Sequence, residues 1–465
     1  MKKFTFFFVF LITLSINAYA QTNVSGPITS NTVWTLANSP YIVIGNVIVN
    51  NGFTLTIEPG VRVKFNHLLS IQIDGTLIAQ GTSSDSITFT SNTADTAGAW
   101  GYIYFSDVST DAVYQNNIYG DYLSGSILEY CTIKYAGGTS VNENGALRLN
   151  TAHPFINYCT ITNNSATGIQ GYNLIGSLKI TNSAISNNFS PDNGGAICVG
   201  GECNTLISRN TISKNTTDGY GGGISNLWCI TGRIIIANNT ITDNTAGYSG
   251  GGISSGISGA SSATITNNII MNNIASEAGG IYIYNGINSA IISDNIITNN
   301  RATTSAGGIY AYSGDATISN NVISDNSTTG TAGGILTYNA FYPIHNNHIV
   351  RNTAANNACL FSYYASTNDI KFNTIVYNKN TDFNNTFNRS IYIEDYAKID
   401  SNNIFNNSAF FEMYNGNAQG SPNIDATTNW WGTADNVTIQ GKIYDWFDDN
   451  TLGIVNYSPY LSAPD

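Results

Sequence analysis

Residues 247–273 read GYSGGGISSGISGASSATITNNIIMNN, and the next 27 read IASEAGGIYIYNGINSAIISDNIITNN. Each copy has a glycine run before an isoleucine, a polar spacer, and a closing Ile-x-x-Asn-x-Ile-x-x-Asn block. Along the chain the first Asn of that block falls at Asn210, Asn239, Asn268, Asn295, Asn321, Asn347, Asn373, Asn402 and Asn429. Upstream, Cys131, Cys159 and Ser183 hold the same slot. Successive steps run from 24 to 29 residues, with a mean of about 27. A fixed period of that length means stacked units, each burying its apolar face only against its neighbours.

The content of a unit decides what is stacked. Short β-branched runs such as ATIT, AIIS and ATIS alternate with Gly and Asn, and no amphipathic stretch of helical length occurs. The leucine pattern of a horseshoe repeat is missing as well. What remains is an all-β coil of three short strands per turn, with turns about 4.8 Å apart. One strand follows the glycines, as in Gly280-Ile281-Tyr282-Ile283-Tyr284; the second holds the Ile before the Asn, and the third the Ile after it. The Asn then sits inward at the bend between the second and third strands. There its amide can bond the backbone and the same amide one turn away, satisfying groups that burial would leave unpaired.

The amino terminus, MKKFTFFFVFLITLSINAYA, has a basic head, an apolar run from Phe4 to Ile16, and an Ala18-Tyr19-Ala20 cleavage pattern. Residues 1–20 are therefore expected to be a secretory signal, which is too short to span a bilayer. The chain that remains is expected to be secreted, periplasmic or on the cell surface. The full sequence has a net charge of −12, and the absence of any basic cluster argues against nucleic acid as a partner. Cys131 and Cys159 stack about 4.8 Å apart on adjacent turns, too far for a disulfide, and are expected to stay reduced. Cys203 and Cys229, in the loop after the first strand, can pair more easily.

The Asn ladder and the corners Gly223-Ile224, Gly252-Ile253, Gly280-Ile281, Gly308-Ile309 and Gly334-Ile335 resemble those of right-handed parallel β-helices of the pectin-lyase-like kind. So do the opening LTIEPGVRVKF…IQIDGTLIAQGT…ITFTS (55–91) and the ending NWWGTADN…IYDWFDDN…VNYSPYLSAP (429–464). The resemblance implies a right-handed parallel β-helix, with an N-terminal cap and irregular turns over 21–130, regular turns over 131–428 and a C-terminal cap over 429–465. It leaves activity open, because this architecture carries lyases, hydrolases, adhesins and inert spikes. The aromatic tail (Trp430, Trp431, Trp446, Phe447, Tyr457, Tyr460) is expected to cover the open end. No cofactor is implied; a calcium loop at Asp445, Asp448 and Asp449 is the alternative to a solvated rim.

Period two sends alternate residues of the first strand outward. Those positions read Tyr282, Tyr310, Leu336, Phe361 and Tyr392 in one column, and Tyr284, Tyr312, Tyr338, Tyr363 and Glu394 in the next. Earlier turns carry Ser225, Asn226, Ser254 and Ser255. An aromatic stripe that the fold does not require suits the C–H faces of a polysaccharide, although Tyr also favours strands for its own sake. In pectin-lyase-like enzymes the cleft lies on this strand face, which the resemblance adds. Glu394 and Asp395, with Glu277 on a neighbouring loop, are the candidate acid and base for glycoside hydrolysis. His345, Lys371 and Asp400 share an outward slot on the second strand and form a second candidate for acid–base work; Arg148 and Glu143 form a third. The stripe itself holds no Lys or Arg, which counts against a lyase. The expected function is binding, with or without processing, of an extracellular polysaccharide; the alternative is an adhesin or structural spike. Oligomeric state is left open.

Overall fold

The computed structural model describes residues 21–256, 261–339, 341–364, 368–382, 388–394 and 396–464. Strands stack in parallel register from Thr22–Ile28, which pairs with Tyr41–Val49, to the terminal pairs Tyr414–Tyr444 and Ile424–Val455. The fold is a parallel β-solenoid of about 27 residues per turn, and among the described residues it has one α-helix, Asn436–Gln440, and one 3-10 turn, Leu36–Asn38.

In the regular turns a fourth strand joins the expected three. It is two to five residues long and forms its own eight-stranded sheet, from Phe189–Ser190 to Lys379–Asn380. A second ladder explains it. The closing Asn of each block (Asn188, Asn215, Asn244, Asn273, Asn300, Asn326, Asn352, Asn378, Asn407) bends the chain once more. At each step of both ladders an Asn Oδ1 accepts from the backbone N–H and the Nδ2 of the Asn before it. The residue just before each ladder Asn takes a positive φ, as at Asn238, Asn267, Asn272 and Asn299. Asn tolerates that conformation better than most residues, which explains why the ladders so often read Asn-Asn.

Inside the coil, Ile253, Ile281, Ile309, Ile335, Leu360 and Ile391 stack in one register and are fully or almost fully buried. Each such side chain contributes about 1.5–3 kcal/mol. Asn226 and Ser255 belong to this inward side as well, joined by a 3.0 Å Nδ2–Oγ hydrogen bond, and so are not part of the outward stripe. Cys131, Cys159, Cys198 and Cys359 are free and buried, while Cys229 is disulfide-bonded; the side chain of its expected partner, Cys203, lies outside the described residues.

At the C-terminal end Trp431, Ile439, Ile443 and Val455 close the core, and Tyr457 and Tyr460 pack against it. Trp446 and Phe447 do not join the plug. They are exposed and meet each other edge-on, because the Asp445 turn directs them away from the core. The Asp445 carboxylate is buried and accepts from the N–H groups of Phe447 and Val455.

Candidate functional site

The first strands of successive turns place one residue per turn in a single row. It runs Gln72, Tyr104, Arg148, Gln170, Cys198, Ser225, Ser254, Tyr282, Tyr310, Leu336, Phe361, Tyr392, Tyr414 and Tyr444. The neighbouring row is Tyr284, Tyr312, Tyr338, Tyr363 and Glu394. All eight aromatic residues of the expected stripe thus lie on one face, and Tyr414 and Tyr444 extend it by two turns.

Exposure differs from expectation. Ser225 and Ser254 are fully buried, Tyr282 is 7% exposed and Leu336 is 5% exposed, so the first row is largely covered. The loops leading from the fourth strand into the first lie over it. Ala306 and Ala332 of those loops pack on Leu336, and the Tyr220 ring lies 6.4 Å from that of Tyr282. Burial raises the Tyr282 and Tyr310 phenols above the ordinary tyrosine range, with the Glu277 charge adding to it. The second row is the open one. Tyr284 is 43% exposed, and Tyr312, Tyr338 and Tyr363 are half-buried.

The rings of that row pack on each other, the first two pairs stacked and the third tilted by 32°. Tyr284–Tyr312, Tyr312–Tyr338 and Tyr338–Tyr363 have centroids 5.6, 4.9 and 5.6 Å apart, with Tyr312 and Tyr338 parallel to within 1°. Their faces are taken by neighbours, so mid-row the surface presents ring edges and hydroxyl groups rather than free ring faces. Among the described residues no hydrogen bond engages the hydroxyls of Tyr284, Tyr312 or Tyr338.

At the C-terminal end of the stripe stands a cation that the strand pattern did not reveal. The Arg389 guanidinium lies 4.2 Å from the ring centroids of both Tyr392 and Tyr414, and its Nε donates to Asn357 Oδ1 at 2.6 Å. Its position two residues before Ile391, outside the alternating pair, hid it in the sequence. The Tyr392 hydroxyl donates to Glu394. Glu394 is therefore held beside an Arg–Tyr stack; Asp395, its expected partner, lies outside the described residues. Glu277 is on a different loop and accepts from Ser249 Oγ at 3.2 Å.

At the other end of the same face a cleft of about 440 Å³ is lined by Glu143, Gln170, Tyr172 and Cys198. Glu143 Oε2 accepts from Gln170 Nε2 at 2.6 Å, and Arg148 donates to the carbonyls of Asn142 and Glu143 beneath the rings of Tyr102, Tyr104 and Tyr172. Burial raises the Glu143 carboxyl, the Asp192 charge adds to it and Arg148 opposes it.

On the second strand His345, Lys371 and Asp400 do share one column. Asp369 comes between them: it lies 3.4 Å from His345 Nε2 and 2.9 Å from Lys371 Nζ, and Lys398 lies 3.2 Å from Asp400. Alternating charges on an open face neutralise one another, as in an ordinary surface ladder.

Two solved structures of a GH136 lacto-N-biosidase from Eubacterium ramulus are similar to the chain. The selenomethionine derivative is 11% identical, covers 70% of this chain and 58% of its own, and has a TM-score of 0.22. The native protein is 11% identical, covers 90% of this chain and 63% of its own, and has a TM-score of 0.24. The chain thus spans less than two thirds of that enzyme, and so loose a superposition carries no weight for activity. No curated protein sequence matches the chain. The family model described as "Right handed beta helix region" matches residues 123–278 and 257–395, more than half of the chain. With parallel register in every turn and two inward Asn ladders, the chain belongs to the right-handed β-helix family.

Proposed function

We propose that this is an exported β-helix protein that binds an extracellular polysaccharide along its first strand face. The observation that supports this is the open row Tyr284, Tyr312, Tyr338 and Tyr363, which offers one phenol per turn at steps of 4.9–5.6 Å. That step is close to the length of one sugar unit, so a chain laid along the axis meets a hydroxyl donor and acceptor at each residue. Recognition is then chiefly polar, with ring stacking reserved for the row's ends. Export rests on the leader pattern of residues 1–20.

Processing of the polysaccharide would fall to a carboxylate at an end of the face, either Glu394 beside Tyr392 and Arg389 or Glu143 in its cleft. A second reading, an adhesin or spike without a ligand, draws support from the mutual stacking of the rings, which stabilises the strand face unaided. Retardation in gels containing plant, algal and animal polysaccharides separates the two readings, and product analysis then separates binder from enzyme.

A further inference from the structure

The repeat is broken most strongly between Tyr104 and Arg148. These residues are neighbours in register but 44 positions apart, against about 27 for an ordinary turn. The surplus contains an antiparallel hairpin, Val113–Tyr114 with Tyr122–Ser124. Its tip, Tyr119-Gly120-Asp121, lies over the second strand face and walls a cleft of about 450 Å³. Lys179 holds the tip in place. Its Nζ donates to the Gly120 carbonyl at 2.9 Å and lies about 5 Å from the rings of Tyr114 and Phe155.

The cleft floor mixes apolar side chains, Leu206 and Ile235 among them, with polar ones. Thr181 Oγ1 and Asn182 Nδ2 each donate to Asn157 Oδ1 at 2.9 Å, and Ser208 and Asn238 continue the lining. Its rim carries exposed Tyr119, and Tyr158 stacked on Tyr130 at 4.7 Å. Arg209 closes the far side. It occupies the positive-φ corner where most turns carry a small polar residue, and no described residue pairs with its guanidinium. A chain with only 17 basic residues against 29 acidic thus places two of them in one walled cleft. Burial lowers the Lys179 ammonium, Asp121 opposes this and Arg209 adds to it.

We propose that this cleft binds the acidic group, carboxylate or sulfate ester, of a glycan, with Arg209 and the remaining Lys179 N–H groups on the anion and the Asn182 and Ser208 side chains on the sugar hydroxyls. Guanidinium matches both anions through paired N–H donors. The inference rests on the reading of the protein as a glycan binder, but on a different face and different residues.

The test is affinity electrophoresis of the full mature chain at about 0.15 M ionic strength, where distant charges are screened over about 8 Å. Gels contain alginate, dextran sulfate or neutral dextran. The parent is expected to be retarded by alginate, dextran sulfate or both, which also tells carboxylate from sulfate. Arg209→Gln is expected to weaken that retardation about tenfold, the loss of one charge-assisted contact. Arg301→Gln, the same change of charge outside the cleft, should leave it as in the parent. No retardation in either acidic gel, or equal loss in both variants, overturns the proposal. Tyr312→Phe separates the two sites: it leaves cleft binding intact if only the open tyrosine row fails, and Arg209→Gln is inert if only the cleft does.

Discussion

Asn295→Ala removes one rung of the first ladder, and its effect follows from four contacts. Asn295 Oδ1 accepts from Asn268 N–H at 2.9 Å and from Asn268 Nδ2 at 3.0 Å. Its Nδ2 donates to the Ile265 carbonyl at 2.9 Å and to Asn321 Oδ1 at 3.0 Å. Alanine strands the Asn268 N–H and the Ile265 C=O in a site that is 1% exposed. At about 1–3 kcal/mol for each buried group left unpaired, part of it recovered by side-chain rearrangement, a loss of about 3 kcal/mol is expected. Thr298→Ala, on the outer side of the same turn, loses a 3.1 Å contact with Ser324 and a 3.2 Å bond from the exposed Asn299 Nδ2, and should cost below about 1 kcal/mol because these groups are partly open to water. Urea unfolding followed by fluorescence gives the two values. Amide exchange at Asn268 reports the local effect, because a solenoid turn is coupled mainly to its neighbours. Equal destabilisation by the two variants, or unchanged protection at Asn268, would refute the assignment of the inward amides.

Other outcomes follow from the same geometry. A non-reducing peptide map should find Cys229 in a disulfide and Cys131 and Cys159 in none. Cys198, whose thiol burial pushes up to about 12, should be alkylated at pH 8 only after unfolding. Glu412 ends the second ladder by accepting from Asn407 Nδ2 at 2.7 Å, and burial raises its carboxyl. A carboxyl raised in the folded state favours folding while protonated, so its contribution is full at low pH and is lost as pH rises from the ordinary glutamate value through the raised one. Glu412→Gln should flatten that decline, and parallel stability–pH curves for the two proteins would exclude it. If the protein turns over a glycan at Glu394, Glu394→Gln should abolish product formation with stability within about 1 kcal/mol of the parent. Activity lost instead in Glu143→Gln would move the chemistry to the other end of the face.

The coil was legible because its period recurs so often. Twelve occurrences of one slot, Cys131 to Asn429, determined the register, and period two determined which rows share a face. The fourth strand was missed because two-residue pieces such as Thr216–Thr217 carry no periodicity of their own. The cover over Tyr282 and Leu336 was missed for a related reason: period two says which way a side chain leaves the sheet, not whether a loop then folds over it. Ring-on-ring stacking follows from register plus rotamer, and only the register can be read from sequence. Arg389 lies outside the alternating pair, and the hairpin that walls the Lys179–Arg209 cleft lies where the repeat is interrupted, so the repeat did not show what these residues face.

The claim that the open tyrosine row recognises a glycan through its hydroxyl edges is tested most directly at Tyr312, stacked on both sides by Tyr284 and Tyr338. Tyr312→Phe keeps the ring in its stack and removes only the hydroxyl. Dissociation constants are measured for the polysaccharide that most retards the parent, beside thermal melts of both proteins. Binding weaker by about 0.5–1.5 kcal/mol, the range for one hydrogen bond, is expected, with an unchanged melt. Parent-like affinity in Tyr312→Phe, or no retention of the parent by any polysaccharide, would contradict it and leave the row as a structural stack.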